Sequence, residues 1–177
     1  MMFASLVEAN MYTVATKVQQ LQDKSFHLRM EFVVDASMDE IHQILTDYAN
    51  ISQLNPSIVS SKEIQSPYPD MNRVETVTRD CFIIFCKMIR RVEDVSSPSM
   101  QRINSKIVPE LSDFSFGVAS WILMPNESGT CVIYEAILQP KFVTPSLGIA
   151  VLQKRMRTRL TQSAVIINGM LSESPLG

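Results

Sequence analysis

The feature that most constrains the fold is a run of six apolar segments between residues 57 and 139, separated by short turns. Pro, Asn, Ser, Asp and Gly cluster in most of these turns, for example at 67–70, 96–99 and 125–129. Such connections are too short to hold crossover helices, so the strands must pair antiparallel. The sequence therefore predicts an antiparallel sheet with strands over 58–64, 73–81, 84–95, 101–108, 114–124 and 130–139.

Two further strands and a helical region precede this run. Residues 26–34 alternate between apolar and polar side chains, and 12–20 is rich in Val and Thr, so both segments are predicted strands. Ser37 and Glu40 have the spacing of a capping box and open a helix that reaches about Tyr48. Residues 48–54 either continue this helix or form a separate short one, and Asn55-Pro56 ends the region.

The longest helical pattern covers residues 146–170, and Asn168-Gly169 is expected to mark its end. One helix cannot cover so wide a sheet flatly, so the sheet must curve around it. The predicted fold class is α+β: a curved antiparallel sheet of about seven strands wrapped around a long C-terminal helix, with a short helix pair after the first core strand. One apolar stripe on the helix faces the sheet and consists of Ile149, Leu152, Met156, Leu160, Ala164, Ile167 and Leu171.

A chain of 177 residues fits one domain, which we place at residues 12–171. Residues 1–11 are expected to be a flexible N-terminus or a signal-peptide remnant, and 172–177 a frayed tail. No apolar run approaches the roughly 20 residues that span a bilayer. We expect a cytoplasmic protein from the sequence as it stands, and a periplasmic one if the N-terminus is a truncated signal peptide.

Common catalytic and cofactor motifs are absent from the sequence. It has no Gly-rich phosphate loop, no His-Glu-x-x-His motif and no nucleophile elbow. His27 and His42 are predicted to be solvated or capping residues, and the spacing of Cys81 and Cys86 is poor for zinc. We therefore expect no metal, no cofactor and no catalytic residue. The net charge of −2 also argues against DNA binding.

The last predicted hairpin and the C-terminal helix define a candidate cavity wall. If the turn centres on residues 126–129, Trp121 lies opposite Tyr134 on the face toward the helix. These residues form either a packed core or the wall of a ligand cavity, because both use the same residue types. The eleven Met residues favour an adaptable apolar site. The candidate cavity residues are Trp121, Leu123, Val132, Tyr134, Ala136, Leu152, Met156 and Leu160.

A basic run lies on the C-terminal helix, where no acidic residue occurs between 136 and 172. Lys154 and Arg155 are expected to point away from the apolar stripe, and Arg157 and Arg159 to flank it. The run is either a solvated helix face or a contact site for anionic lipid headgroups or another polyanion.

Cys81 and Cys86 allow two interpretations. If the chain forms a hairpin that turns at Ile83-Ile84, the two cysteines become cross-strand neighbours and a disulfide can form. The apolar tip would then cover a cavity mouth, touch a membrane or meet a partner. If the segment is one continuous strand, the odd separation places the thiols on opposite faces and no bridge forms.

Several segments resemble a known family. The sequences VVDAS at 33–37, ILTDY at 44–48 and LNPSI at 54–58 resemble the polyketide cyclase/dehydrase and coenzyme Q-binding START-domain family. This family belongs to the helix-grip superfamily of the birch-pollen allergen. The cysteine segment 81–86 and PELSDF at 109–114 look similar to an uncharacterised bacterial branch of it.

The resemblance implies that the protein binds or carries a hydrophobic small molecule, such as a lipid, quinone or polyketide-like compound, between the sheet and the C-terminal helix. Transient membrane contact is a further expectation, and the sequence leaves the oligomeric state open. One alternative is a cyclase or dehydratase that uses the same cavity. The other is a protein-interaction module of the ribosome-associated kind, which the basic helix favours and the acidic net charge weakens.

Overall fold

The structure is a computed structural model and describes residues 14–82, 85–142 and 146–172. The expected N-terminal segment 1–11, the hairpin tip Ile83-Ile84 and residues 173–177 of the expected tail 172–177 lie outside the described residues. Ser172, the first residue of that tail, belongs to the last helix. The described elements are, in chain order, β1 (Ala15–Gln20), β2 (Phe26–Val34), α1 (Met38–Thr46), a 3-10 helix (Ile51–Leu54), β3 (Ile58–Ile64), β4 (Asn72–Phe82), β5 (Phe85–Ser99), β6 (Arg102–Ile107), a second 3-10 helix (Pro109–Leu111), β7 (Phe114–Asn126), β8 (Gly129–Pro140) and α2 (Ser146–Ser172).

Within the described residues, eight strands form one curved sheet in the order β1-β2-β8-β7-β6-β5-β4-β3. Every neighbouring pair is antiparallel, as predicted from the short connections. The described sheet has eight strands where about seven were expected, and its edge strand β1 lies within the strand predicted over residues 12–20. Strands β3 to β8 follow one another as successive hairpins, so α1 and the first 3-10 helix must carry the chain from β2 to the opposite edge.

The capping box predicted at the start of α1 is present. The Ser37 hydroxyl accepts a hydrogen bond from the Glu40 amide at 3.3 Å, and the Glu40 carboxylate accepts one from the Ser37 amide at 2.8 Å. The Ser37 hydroxyl also donates to this carboxylate at 2.7 Å, and the bonds from the hydroxyl and the amide lower the pKa of Glu40. The second half of the predicted region is a separate 3-10 helix over Ile51–Leu54.

Two boundaries differ from the sequence prediction. The predicted turn at 96–99 lies inside β5, where the pairing with β6 shifts register between Ser96 and Ser99. This irregularity accommodates Pro98, which has no amide hydrogen to give to a sheet. The helix α2 does not end at Asn168-Gly169 but continues to Ser172, since Gly169 keeps a helical conformation there.

The predicted stripe on α2 packs onto the concave face of the sheet. Leu152, Ala164, Ile167 and Leu171 are buried. Ile149, Met156 and Leu160 are partly buried and pack against the same core. The helix lies closest to β1 and β2. This off-centre position leaves space between α2 and the strands at the other side of the sheet.

Candidate ligand cavity

That space is a cavity of about 280 Å³ between the concave face of the sheet and α2. The volume is near the lower end of the range of about 300–1,000 Å³ for small-molecule sites. Strands β2, β4, β5, β6, β7 and β8 contribute to its wall, together with α1, the first 3-10 helix and α2. Side chains from all these elements converge on one space, which opens partly to solvent, and this makes it the candidate site.

Five of the eight predicted cavity residues line this space: Trp121, Tyr134, Leu152, Met156 and Leu160. Trp121 pairs with Tyr134 across β7 and β8, as the hairpin register predicts, and the ring centroids are 4.6 Å apart. This pair forms part of the sheet wall, while the other three residues form the helix wall.

Leu123, Val132 and Ala136 do not line the cavity, so their assignment to its wall was wrong. All three are buried in the core. Leu123 pairs with Val132 near the end of the hairpin, where β7 comes close to α1, and this end is filled by packing. Ala136 pairs with Ala119, and a methyl side chain is too short to reach the space that the larger neighbours enclose.

The cavity has an apolar wall and a polar wall. Leu28 and Met30 on β2 join the α2 side chains on the apolar wall. The polar wall is formed by β4, β5 and β6, and the sequence analysis missed it. Its members are Thr76, Thr78, Asp80, Arg91, Glu93 and Ser105.

Arg91 and Glu93 form the centre of the polar wall. The Arg91 guanidinium donates to the Glu93 carboxylate at 2.6 Å, and the Ser105 hydroxyl donates to the same carboxylate at 2.7 Å. Burial disfavours the charged form of Arg91, but Glu93 and Tyr134 outweigh it and raise the pKa of Arg91 above its ordinary value. The Arg91 Nε is buried and has no hydrogen-bond partner among the described residues. Strand alternation could have identified this pair. Arg91 and Glu93 lie on the same face of β5 as Ile89 and Val95, which are buried.

A second charged cluster lies at another part of the wall. The Asp80 side chain is 2% exposed and accepts hydrogen bonds from Arg159 at 2.9 Å and from Arg155 at 3.2 Å. Arg155 also donates to the Cys81 carbonyl oxygen. The expectation that Arg155 points away from the apolar stripe was therefore wrong. Residues four apart share one face of a helix, and both arginines reach β4 from α2.

The other two residues of the basic run are exposed. Lys154 and Arg157 lie on the outer side of α2, so the run is divided between an internal pair and an outer pair. Only the outer pair remains as a candidate for contact with a membrane or another polyanion.

The cysteine segment forms a hairpin, as the first of its two interpretations requires. Cys81 pairs with Cys86 and Phe82 with Phe85 between β4 and β5. The two sulfur atoms are bonded in the structure. Cys131 is a free, buried thiol, and burial raises its pKa.

The remaining candidate groups lie away from the cavity. His27 is hydrogen-bonded to Glu135 at 2.8 Å, and His42 to Ser97 at 2.7 Å. The described residues contain no group of three or more His, Cys, Asp or Glu side chains arranged to hold a metal ion. None of the helices described is long and apolar enough to cross a membrane.

Comparison with solved structures identifies the fold. A STAR-related lipid transfer protein from Xanthomonas axonopodis superposes with a TM-score of 0.69 and 13% identity, over 92% of this chain and 99% of that one. A START superfamily protein from Mycobacterium smegmatis gives a TM-score of 0.63 at 18% identity, over 84% and 97% of the two chains. The protein has the START-like helix-grip fold.

An aromatase/cyclase from Streptomyces sp. R1128 shares this START-like fold, with a TM-score of 0.58 and 11% identity over 84% of this chain and 93% of that one. No protein-family model matches the sequence. No curated protein matches it significantly either. The structural comparison therefore supports the resemblance seen in the sequence at the level of the START fold.

Proposed function

We propose that this START-like protein binds a hydrophobic small molecule in the cavity between the sheet and α2. The observation that carries the proposal is the space between sheet and helix, which Leu152, Met156 and Leu160 line with apolar side chains. The space of about 280 Å³ opens partly to solvent and is near the size of small-molecule sites, which favours a ligand that enters between sheet and helix. The lipid transfer protein and the aromatase/cyclase with the same fold agree with a ligand of this class.

Trp121 makes the proposal directly testable, because it is the only tryptophan in the chain and it lines the cavity. Titration with a short-chain quinone, which absorbs and quenches indole emission, is expected to decrease Trp121 fluorescence in a saturable way. Native mass spectrometry of protein purified from its own host, followed by lipid extraction, is expected to show an apolar ligand.

A matched pair of variants separates the cavity from the protein surface. Leu160→Phe adds a larger side chain to the cavity wall and is expected to weaken quinone binding about tenfold or more. Val165→Phe adds a ring on the outer side of the same helix, where Val165 is 59% exposed, and is expected to bind like the unmodified protein. Equal binding by both variants, or no quenching by any apolar ligand, would show that the space is not a ligand site.

Catalysis in the same cavity is a second candidate, and the Arg91 guanidinium is the observation that favours it. A cation on the cavity wall can polarise a ketone oxygen, and Glu93, which also accepts a hydrogen bond from Ser105, fixes the position of Arg91. A cyclase or dehydratase would therefore use Arg91 to stabilise negative charge on the substrate. Mass analysis of a bound poly-ketone probe distinguishes the two functions, since loss of water from the probe with the wild-type protein, but not with Arg91→Gln, indicates catalysis.

Transient membrane contact is proposed for the outer side of α2. Val151 and Val165 are exposed there, on the same helix as the exposed Lys154 and Arg157. Aliphatic side chains beside cations fit the interface of an anionic bilayer. Flotation with vesicles of anionic lipid, compared between wild type and a Lys154→Gln/Arg157→Gln variant, tests this contact.

A further inference from the structure

The disulfide between Cys81 and Cys86 lies on the convex face of the sheet, on the side away from the cavity. Asp80, the residue before Cys81, lines the cavity, and successive residues of a strand point to opposite faces. Cys81 is partly exposed, and Cys86 is exposed to solvent. An external thiol can therefore reach the Cys86 sulfur without entering the cavity.

The hairpin does not depend on this bond for its register. Strands β4 and β5 pair continuously from Asn72 opposite Val95 to Phe82 opposite Phe85. The two cysteines are only five positions apart in the sequence, and a bridge across a short loop stabilises a fold less than a bridge across a long one. Exposed disulfides are also more easily reduced than buried structural ones. The position of the bond thus favours reversible chemistry over a purely structural role.

The Arg79 guanidinium lies beside the bond on the same face of the sheet. Its Nη2 atom is 3.8 Å from the Cys86 sulfur, and Arg79 is itself exposed. A neighbouring guanidinium stabilises a thiolate relative to a thiol, so it favours release of Cys86 as a thiolate. The same positive charge attracts an anionic thiol to this face.

The main chain at Cys81 is also part of the attachment of α2, which forms the helix wall of the cavity. Arg155 donates to the Cys81 carbonyl oxygen. The adjacent Asp80 accepts hydrogen bonds from Arg155 and Arg159. The covalent bond fixes Cys81 against Cys86, and its opening allows Cys81 to move together with the carbonyl that Arg155 contacts. The state of the bond on the convex face is thus linked to the cavity on the concave face.

We propose that the Cys81–Cys86 disulfide is a thiol-exchange site that controls the cavity. A small anionic thiol of the glutathione class opens the bond, and the opening loosens the attachment of α2 and weakens ligand binding. The effect on ligand binding rests on the proposed hydrophobic-ligand function, whereas the exchange reaction does not.

The reaction takes place in two steps. The thiolate of one small molecule attacks the Cys86 sulfur, the bond to Cys81 breaks, and Cys81 leaves as a thiolate. A second small-molecule thiolate then attacks the sulfur of the first, Cys86 leaves as a thiolate beside Arg79, and the disulfide of the two small molecules is released. The two small thiolates supply the two electrons that reduce the protein disulfide.

Exchange is measured on the folded, oxidised protein by mass spectrometry after incubation with millimolar reduced glutathione. We expect the dithiol form to appear through an adduct of one glutathione, which peptide mapping locates on Cys86, and glutathione disulfide to reverse the reaction. The Cys81→Ser variant leaves Cys86 without its partner, so its adduct with glutathione is expected to persist.

A matched pair of variants tests the role of Arg79. Arg79→Gln is expected to slow exchange about threefold or more. Arg102→Gln removes an equal charge from an exposed position opposite Ser99, at the other end of β5, and is expected to react like the wild type.

Control of the cavity is measured with N-phenyl-1-naphthylamine, a neutral probe whose emission rises in apolar surroundings. We expect the reduced wild type and the Cys81→Ser/Cys86→Ser variant to bind the probe about fivefold more weakly than the oxidised wild type. Glutathione disulfide is expected to restore binding in the wild type only. The reduced wild type keeps every side chain, so the comparison holds even if the double variant is unfolded.

The outcomes separate this inference from the proposed function. A disulfide that stays intact in millimolar glutathione, with no adduct on Cys86, would overturn the exchange site. Equal probe binding by the oxidised and reduced protein would overturn its control of the cavity. Absence of probe binding by the oxidised protein would instead overturn the proposed function, while the mass measurement would still decide whether the exchange site exists.

Discussion

Replacement of Asp80 by Asn is the sharpest test of how α2 is attached to β4. The side chain is almost completely buried, and it accepts charge-assisted hydrogen bonds from Arg155 and Arg159. Hydrogen bonds to charged groups contribute about 1.5–3 kcal/mol each, and loss of one partner from a buried ion pair costs about 3–5 kcal/mol. The arginine side chains are 33% and 23% exposed and can turn toward water, which reduces this cost. We therefore expect Asp80→Asn to lower the free energy of unfolding by about 2–3 kcal/mol.

Urea unfolding followed by Trp121 fluorescence measures this loss, and thermal unfolding is expected to shift by about 5–10 °C for a chain of this size. Asp70→Asn is the matched control, because Asp70 is exposed. A double-mutant cycle of Asp80→Asn with Arg159→Gln is expected to show a coupling of about 1 kcal/mol or more. If Asp80→Asn unfolds at the same urea concentration as Asp70→Asn, or the two substitutions are additive, the ion pairs do not hold the helix.

Three further predictions concern the rest of the sheet. Replacement of both Cys81 and Cys86 by Ala is expected to lower the free energy of unfolding by about 2 kcal/mol under oxidising conditions, because the disulfide closes a small loop. The non-reduced wild type is expected to show one alkylated thiol after denaturation, that of Cys131. Gly129→Ala is expected to destabilise the protein by about 1–3 kcal/mol, since Gly129 has φ +126° and a Cβ would lie 2.2 Å from the Val34 carbonyl oxygen. Lys62 and Arg90 lower the pKa of Glu75, so Glu75→Gln is expected to cost about 1–3 kcal/mol at pH 7. This cost decreases as the pH falls below 4.5, the ordinary pKa, and disappears below the depressed pKa of the folded state.

Each of these has an outcome that contradicts it. Three alkylated thiols after expression in an oxidising compartment would show that the bridge is absent. Gly169→Ala is the control for Gly129, because the helical Gly169 has nothing within 4 Å of a Cβ and its replacement should stabilise by up to about 1 kcal/mol. Equal effects of the two glycine substitutions would refute the steric argument. A cost of Glu75→Gln that stays constant from pH 7 to 3 would refute the ion-pair explanation.

The fold could be predicted because its signals are local. Alternation identifies β2, the Ser37 and Glu40 capping box marks the start of α1, and the stripe on α2 repeats at helical spacing. The connections between β3 and β8 are short enough to require antiparallel pairing without any knowledge of tertiary contacts.

The polar half of the cavity could not be predicted in the same way. A charged residue in a strand is ordinarily assigned to the solvent face. Arg91 and Glu93 instead face the cavity, with side chains 22% and 13% exposed, and each neutralises the other there. Asp80 is separated from Arg155 by 75 residues, and no local pattern indicates that they meet. Part of the apolar half was also misassigned. Leu123 and Val132 are apolar and lie on the predicted face of the sheet, but they lie where α1 approaches the sheet.

The two kinds of attachment of α2 together explain why a cavity exists at all. On the side of β1 and β2 the helix approaches closely and packs through apolar side chains such as Ile167. On the side of β4 the link to Asp80 is made by Arg155 and Arg159, whose side chains are long enough to span a wider gap. Close packing on both sides would bring the helix down onto Thr76 and Arg91 and close the space. Ion pairs made by long side chains on one side hold the helix at a distance from the sheet. The cavity therefore stays open while the helix remains attached to β4.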